Sequence, residues 1–368
     1  MQKRATENIT VLLKRKMSLT AKAFAVYEPN GKFQVYDLNR RPLSAHDVAI
    51  RILYCGICHT DIHQVKDEWH NAKFPMVPGH EITGIVQQVG SAVKDFKLGD
   101  RVGVGCMVDS CRACPPCKRD LENHCVQGFS GTYNSTEQDK VTPTYGGYAN
   151  FIVVNDHFVV QIPKDLPMDS AAPLLCAGIT TYSPMIQHNV GKNTKVGVVG
   201  LGGLGHMAVK FGVALKADVT VISTSESKRN DAMRLGAKHF IVSKDEEQMK
   251  AAANSFDFII NAVSANHDIM PIVNLLAFEG VLCMIGAPAQ PLQISAINLL
   301  MKRPKITGSL IGGMKETQEM LNFCAKHSVK CEIELLQATP QNLAIAYERT
   351  LASDVKYRFV LDMENAFK

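Results

Sequence analysis

Four cysteines crowd into one short stretch, as Cys111, Cys114, Cys117 and Cys125. Four thiolates at this spacing suit tetrahedral zinc, and a site filled by four protein ligands leaves no position for a substrate. The expected role is to hold together a loop that Pro115 and Pro116 keep out of regular structure. Free thiols or two disulfides are the alternatives, and the tight spacing favours zinc. Cys106 falls outside the pattern and is expected to be an ordinary buried thiol. The cluster speaks for metal without speaking for catalysis, because a zinc module that binds a partner would carry the same cysteines.

A second set of chemically capable residues is scattered. Cys58, His59, Thr60, Asp61 and His63 lie within one run, His80 and Glu81 follow Pro78-Gly79, and Cys176 stands before Ala177-Gly178. None of these is a short-range metal motif. Read singly, Cys176 fits a small core residue, His80 a hydrogen-bonded polar side chain and Thr60 a turn hydroxyl.

A third set is the loop Gly200-Leu201-Gly202-Gly203-Leu204-Gly205. It follows an apolar strand-like run, Lys195–Val199, and opens a stretch with helical spacing at 206–217. In that context the glycines permit a tight turn and close approach of a pyrophosphate, which the helix N-terminus favours. An NAD site places a carboxylate at the end of the following strand. Here the strand-end residue is Ser223, followed by Thr224, Ser225, Glu226, Ser227 and Lys228. Hydroxyls and a cation can hold the 2′-phosphate of NADP, whereas a carboxylate would repel it. Glu226 is expected to point away on the helix start, where its charge suits the dipole. A helix cap without any phosphate role is the alternative.

The elements that must position these residues fall into two textures. From Lys22 to about Pro173, short apolar runs at 48–54, 82–89, 100–104 and 150–154 alternate with Gly, Pro and Asp turns. That pattern reads as a β-rich, barrel-like domain. Beyond Cys176, strand runs at 195–199, 219–222, 258–262, 281–285 and 305–310 alternate with helical stretches at 206–217 and 226–235, which implies a doubly wound parallel sheet. A helix near 316–326 and a strand at 360–362 then return to the first domain. The expected division is 18–175 completed by 313–368, a nucleotide-binding domain at 176–312, and an N-terminal extension at 1–17.

The 368 residues suffice for two cores, with 46% hydrophobic and 20% charged residues, as in a soluble globular protein. The net charge of +5 is spread without interleaved aromatics, which argues against nucleic acid. Residues 1–17 carry five Lys or Arg but no long apolar run, so neither a signal peptide nor a membrane span is expected. Eleven cysteines in such a chain point to a reducing cytoplasm and to metal.

Taken together, the Gly-His-Glu block, the four-cysteine loop, the Cys-Ala-Gly-Ile-Thr run at Cys176 and the Gly-Leu-Gly-Gly-Leu-Gly-His run at Gly200 resemble the zinc-dependent medium-chain alcohol dehydrogenases. The likeness is closer to the cinnamyl alcohol dehydrogenase branch and runs from about Lys22 to the C-terminus. It implies a GroES-like catalytic domain with a Rossmann domain, and two zincs per chain. The catalytic zinc would be held by Cys58, His80 and Cys176, with Glu81 able to occupy it in the absence of substrate and Asp61 orienting a ligand. Such a zinc polarises a carbonyl or eases loss of an alcohol proton. Thr60 and His63 would relay that proton outward, His59 would touch the pyrophosphate, and Ser223, Thr224, Ser225 and Lys228 would hold the 2′-phosphate of NADP(H). Trp69, Thr60 and residues near 310–312 are candidate substrate walls.

The resemblance further implies a homodimer, often paired through the nucleotide domain, and the apolar, Gly-rich stretch at 309–313 is compatible with such an edge. The plant lignin enzymes carry a Trp shortly after the fourth loop cysteine, where this chain offers Phe129 and Tyr133. A broad reductase of aliphatic and aromatic aldehydes is therefore expected. The rival expectations are an NAD-dependent polyol or secondary-alcohol dehydrogenase and a non-catalytic zinc- and NADP-binding redox sensor.

Overall fold

The computed structural model describes residues 19–288 and 290–367; the expected N-terminal extension at 1–17 lies outside them. Two sheets organise the chain. A six-stranded sheet runs in the order His239–Val242, Asp218–Ser223, Lys195–Val199, Phe256–Asn261, Leu276–Met284, Lys305–Gly308, and every pairing is parallel. The first strand in sequence, Lys195–Val199, lies at the point where strand order reverses. A crevice must open there at the carboxyl ends of the strands, and the glycine loop sits in it.

A seven-stranded sheet is centred on Asp47–Gly56, which pairs antiparallel with Ile82–Val89, with Phe151–Asn155 and with Arg358–Asp362. The C-terminal strands Ile333–Gln337 and Arg358–Asp362 thus close the chain back onto its first half. A large apolar core runs through both halves. A smaller cluster, including Val199, Ile222, Ile259 and Leu282, fills the other face of the parallel sheet.

Several elements differ from the sequence expectation, each for a local reason. The expected helix at 226–235 begins as a single 3-10 turn, Glu226–Lys228, capped by the Ser225 hydroxyl, before helix Arg229–Arg234. Strand His239–Val242 was not expected, because it is a four-residue edge strand in which only Phe240 is buried. The strand at 305–310 stops at Gly308; Ile311, Gly312 and Gly313 are buried within the chain, so they do not form the open edge expected at 309–313.

Candidate active site and cofactor cleft

Cys58 and Cys176 are both helix N-cap residues, of His59–Val65 and Ala177–Gln187 respectively. Their sulfurs lie 3.9 Å apart. A helix N-terminus favours negative charge on a thiol, so two such ends face each other across the same point. His80 and Glu81 arrive from the turn preceding strand Ile82–Val89, and ligand atoms of Cys58, His80, Glu81 and Cys176 all lie within 4.8 Å of one another. All four residues are buried.

The Cys176 hydrogen bond, with Arg358 and His80 adding to it, holds the Cys58 thiol well below its ordinary range despite burial. Cys106 and Cys58 push Cys176 the other way. Two buried thiols this close cannot both ionise unless a cation lies between them. Cys106 departs from expectation: it is only half-buried and lies against Cys176, a third thiol at the edge of this group.

Asp61, fully buried at the third position of helix His59–Val65, sits behind the cluster. It accepts from the Cys58 backbone at 2.9 Å, from Gly79 N at 3.2 Å and from His80 Nδ1 at 3.1 Å. A carboxylate accepts only, so Nδ1 carries a proton and Nε2 is the atom left to face a metal. Burial opposes a charge on His80, but the Asp61 carboxylate outweighs it and raises the imidazole well above its ordinary value.

Thr60 lies in the first turn of the same helix, with His63 one turn on and so on the same face. His63 Nδ1 meets Glu68 Oε2 at 2.5 Å, and its ring packs against Trp69 at 5.2 Å. Glu68 was missed from sequence; an acid in the loop just beyond a relay histidine was the available signal. Trp69 is half-exposed and sits at this rim. Phe129 packs on the four cysteines, while Tyr133 stacks over His80 with ring centroids 5.9 Å apart.

Cys111, Cys114, Cys117 and Cys125 also bring their sulfurs within 4.8 Å of one another. Backbone N–H groups of Cys117 and Val126 aim at Cys114 and lower its thiol to about 6, whereas burial pushes Cys117 up to about 12. The lobe they form grips the chain beyond the parallel sheet. Glu122 accepts from Met314 N at 3.0 Å and from His157 at 2.7 Å, and Asn123 donates to Leu310 O at 2.7 Å.

A cleft of about 470 Å³ opens over the glycine loop, lined by Ile57, His59, Gly200 to Gly203, Ser223, Thr224, Lys228 and Arg358, among others. Gly200 adopts φ of +88°, and a Cβ on Gly205 would lie 2.0 Å from Gly200 O, so a side chain is excluded at both. Leu204 caps helix Gly205–Ala214. A Cβ on Gly202 meets nothing within 4 Å, which leaves open space where a phosphate would approach.

Glu226 turns away to pair with Arg229, as expected. Ser225 departs from its expected place, because its hydroxyl bonds Ser227 Oγ at 2.8 Å instead of facing the cleft. Arg358, also missed from sequence, donates to Glu81 and packs against Gly203, tying the Cys58, His80 and Cys176 cluster to the glycine loop. An arginine opening the apolar run 359–361 was the signal that could have found it.

Residues 44–164 match the alcohol dehydrogenase GroES-like domain, and residues 203–326 match the zinc-binding dehydrogenase family. The chain is 54% identical over 351 residues to cinnamyl alcohol dehydrogenase 2 of Rauvolfia serpentina, covering 94% of this chain and 96% of that one. It belongs to the zinc-binding medium-chain alcohol dehydrogenases.

Two solved structures agree with that placement of this dehydrogenase. A cinnamyl alcohol dehydrogenase from Sorghum bicolor superposes with a TM-score of 0.91 at 45% identity, covering 95% and 99% of the two chains. The Helicobacter pylori enzyme complexed with NADP(H) gives 0.88 at 42%, covering 95% and 100%. The dehydrogenase is an oxidoreductase built from a GroES-like domain and a Rossmann-like parallel sheet. No helix among its described residues is long and apolar enough to cross a membrane.

Proposed function

We propose that this dehydrogenase transfers a hydride between NADP(H) and a primary alcohol or its aldehyde, over a broad range of aliphatic and aromatic substrates. The observation that carries the reading is the meeting of Cys58, His80, Glu81 and Cys176 at one buried point, joined by Arg358 to a cleft with no carboxylate at Ser223. Two thiols and an imidazole suit zinc and leave a position open for a substrate oxygen, and the four-cysteine lobe would hold a second, closed zinc. When bound, zinc supplies Lewis acidity toward the substrate oxygen and NADP(H) accepts or returns the hydride.

The chain's own residues do the rest. Thr60 Oγ1 takes the alcohol proton in oxidation and returns it in reduction. His63, one turn on along the helix and with its ring held through Nδ1 by Glu68, passes the proton outward to solvent. Asp61 keeps His80 Nε2 turned to the metal. The amides of the glycine loop, with His59 and Arg358, hold the pyrophosphate, while Ser223, Thr224 and Lys228 take the 2′-phosphate. The division near residues 175 and 312, a homodimer and a cytoplasmic location belong to the same reading.

The testing experiment is initial-rate oxidation of NADPH and of NADH with aldehydes from butanal to cinnamaldehyde. Fast turnover across the panel with NADPH alone is expected. No turnover with either cofactor, in protein shown to hold zinc, would overturn the reading.

A further inference from the structure

Behind Asp61 the buried polar chain does not stop. Tyr148, fully buried, donates from its hydroxyl to Asp61 Oδ2 at 3.4 Å, and the Tyr347 hydroxyl donates to Tyr148 at 3.4 Å. A buried hydroxyl without a partner carries the cost of its lost hydration, so each is held to the acceptor it has found. Both contacts are longer than an ideal hydroxyl bond. Their effect is therefore on orientation more than on bond energy.

Tyr148 cannot drift from this position. Its segment is laced to the one that delivers His80, by Gly146 N to Val77 O at 2.8 Å, Gly147 N to Gly79 O at 2.9 Å and Tyr148 N to Pro78 O at 3.0 Å. Cβ atoms on Gly79 and Gly146 would lie 2.7 Å from the Tyr148 ring and 2.2 Å from Pro78 O, so the two segments touch backbone to backbone. Tyr347 comes from helix Pro340–Leu351 and is wedged edge-on against Phe33 at 5.4 Å. An unbroken line therefore runs from the C-terminal helix through Tyr347, Tyr148 and Asp61 to His80.

We propose that Tyr148 and Tyr347 are positioning residues for the catalytic metal, completing the donor set of Asp61 and so fixing the orientation of His80. The inference rests on the proposed zinc site. It adds that the C-terminal helix tunes how tightly the zinc is held. A direct partner of a metal ligand, as Asp61 is to His80, is worth about 10- to 100-fold in metal affinity, and the hydroxyls behind it are worth a fraction of that.

The test uses Tyr148→Phe and Tyr347→Phe, which keep the rings and remove only the hydroxyls. Zinc transfer from the full-length holoenzyme to a colorimetric chelator is followed in time, with release from the four-cysteine lobe as internal control. Release of the catalytic zinc is expected to quicken about threefold in Tyr148→Phe, below the ~10-fold loss typical of a direct ligand partner, and less in Tyr347→Phe. The double variant should be no faster than Tyr148→Phe, because Tyr347 acts through Tyr148. The visible spectrum of the cobalt-substituted enzyme should shift in the same order. An unchanged release rate and spectrum with a lowered melting temperature would make the tyrosines packing residues and overturn the proposal. Wild-type protein that holds zinc only in the cysteine lobe would instead overturn the metal site on which it rests.

Discussion

Arg358 and Glu81, 277 residues apart in sequence, form a buried ion pair, and the same guanidinium lies against Gly203 of the glycine loop. One side chain thus faces the Cys58, His80 and Cys176 cluster on one side and the glycine loop on the other. Breaking a buried pair from one side leaves an uncompensated charge. Arg358→Gln is expected to cost about 3 kcal/mol in chemical denaturation and to weaken NADPH about tenfold by fluorescence titration. The Glu81→Gln, Arg358→Gln double variant should regain much of the stability but none of the affinity. A single variant with wild-type stability would show that the pair is solvated in solution.

The two metal sites should separate by mutation. Cys58→Ala is expected to lose one zinc of two and lower turnover about a thousandfold or more, several kcal/mol of transition-state stabilisation, while NADPH still binds. Cys111→Ser is expected to lose the other zinc. It should also loosen the grip of Glu122 and Asn123 on residues 310–314, and so lower the melting temperature. Elemental analysis beside a thermal melt reads both. Retained activity in Cys58→Ala would mean that the catalytic metal is held elsewhere.

What was legible in the sequence follows from how each site is assembled. The four cysteines and the glycine loop draw their parts from one short stretch, so spacing alone carries the chemistry. Cys58, His80 and Cys176 are single residues on three separate elements, and only their joint order, through a family resemblance, linked them. Arg358, Glu68 and the Tyr148–Tyr347 pair stayed hidden because sheet pairing and helix packing choose their partners. Cys106 reads from sequence as an ordinary buried thiol because its neighbour Cys176 is 70 residues away in the chain. The inner strands of the parallel sheet are readable as apolar runs because both of their faces are covered, whereas the edge strand His239–Val242, with one buried residue, is not.

Cofactor choice should turn on the end of strand Asp218–Ser223. Ser223 lines the cleft with Thr224 and Lys228, and Glu226, the nearest acid in sequence, is occupied by Arg229. If the 2′-phosphate is held there, Ser223→Asp would set a carboxylate against it and offer that carboxylate to a free 2′-hydroxyl instead. The kcat/KM for NADPH is expected to fall about a hundredfold, ~2.7 kcal/mol, while that for NADH rises. An unchanged NADPH preference would move the phosphate site away from Ser223.

Acid should weaken the fold through His206. Burial, with the nearby Lys210 charge adding, lowers its imidazole from 6.5 to about 4, and its ring stacks on Tyr357 with Nε2 3.2 Å from Cys331 Sγ. The folded value lies below the unfolded one, so the unfolded chain binds the extra proton. This contribution is complete above about pH 6.5 and is lost as pH falls toward about 4. His206→Gln removes the titration, so the stability difference between wild type and variant should shrink by about 2 kcal/mol from pH 7 to pH 5. Parallel pH profiles of denaturant unfolding would count against a neutral buried His206.

The open edge of the parallel sheet bears on the expected dimer. Strand Lys305–Gly308 pairs only with Leu276–Met284 among the described residues, so its outer backbone groups have no ladder partner. Beside it Phe278, Leu300 and Met301 are 65%, 75% and 73% exposed. An unpaired edge flanked by exposed apolar side chains is unstable toward association, and a second copy meeting it about a twofold axis would cover both at once. Leu300→Glu with Met301→Glu is expected to turn a dimer into a monomer in light scattering, with the metal content of each chain unchanged. A double variant that stays dimeric would place the contact on another face, because two buried like charges on each side could not be accommodated at this one.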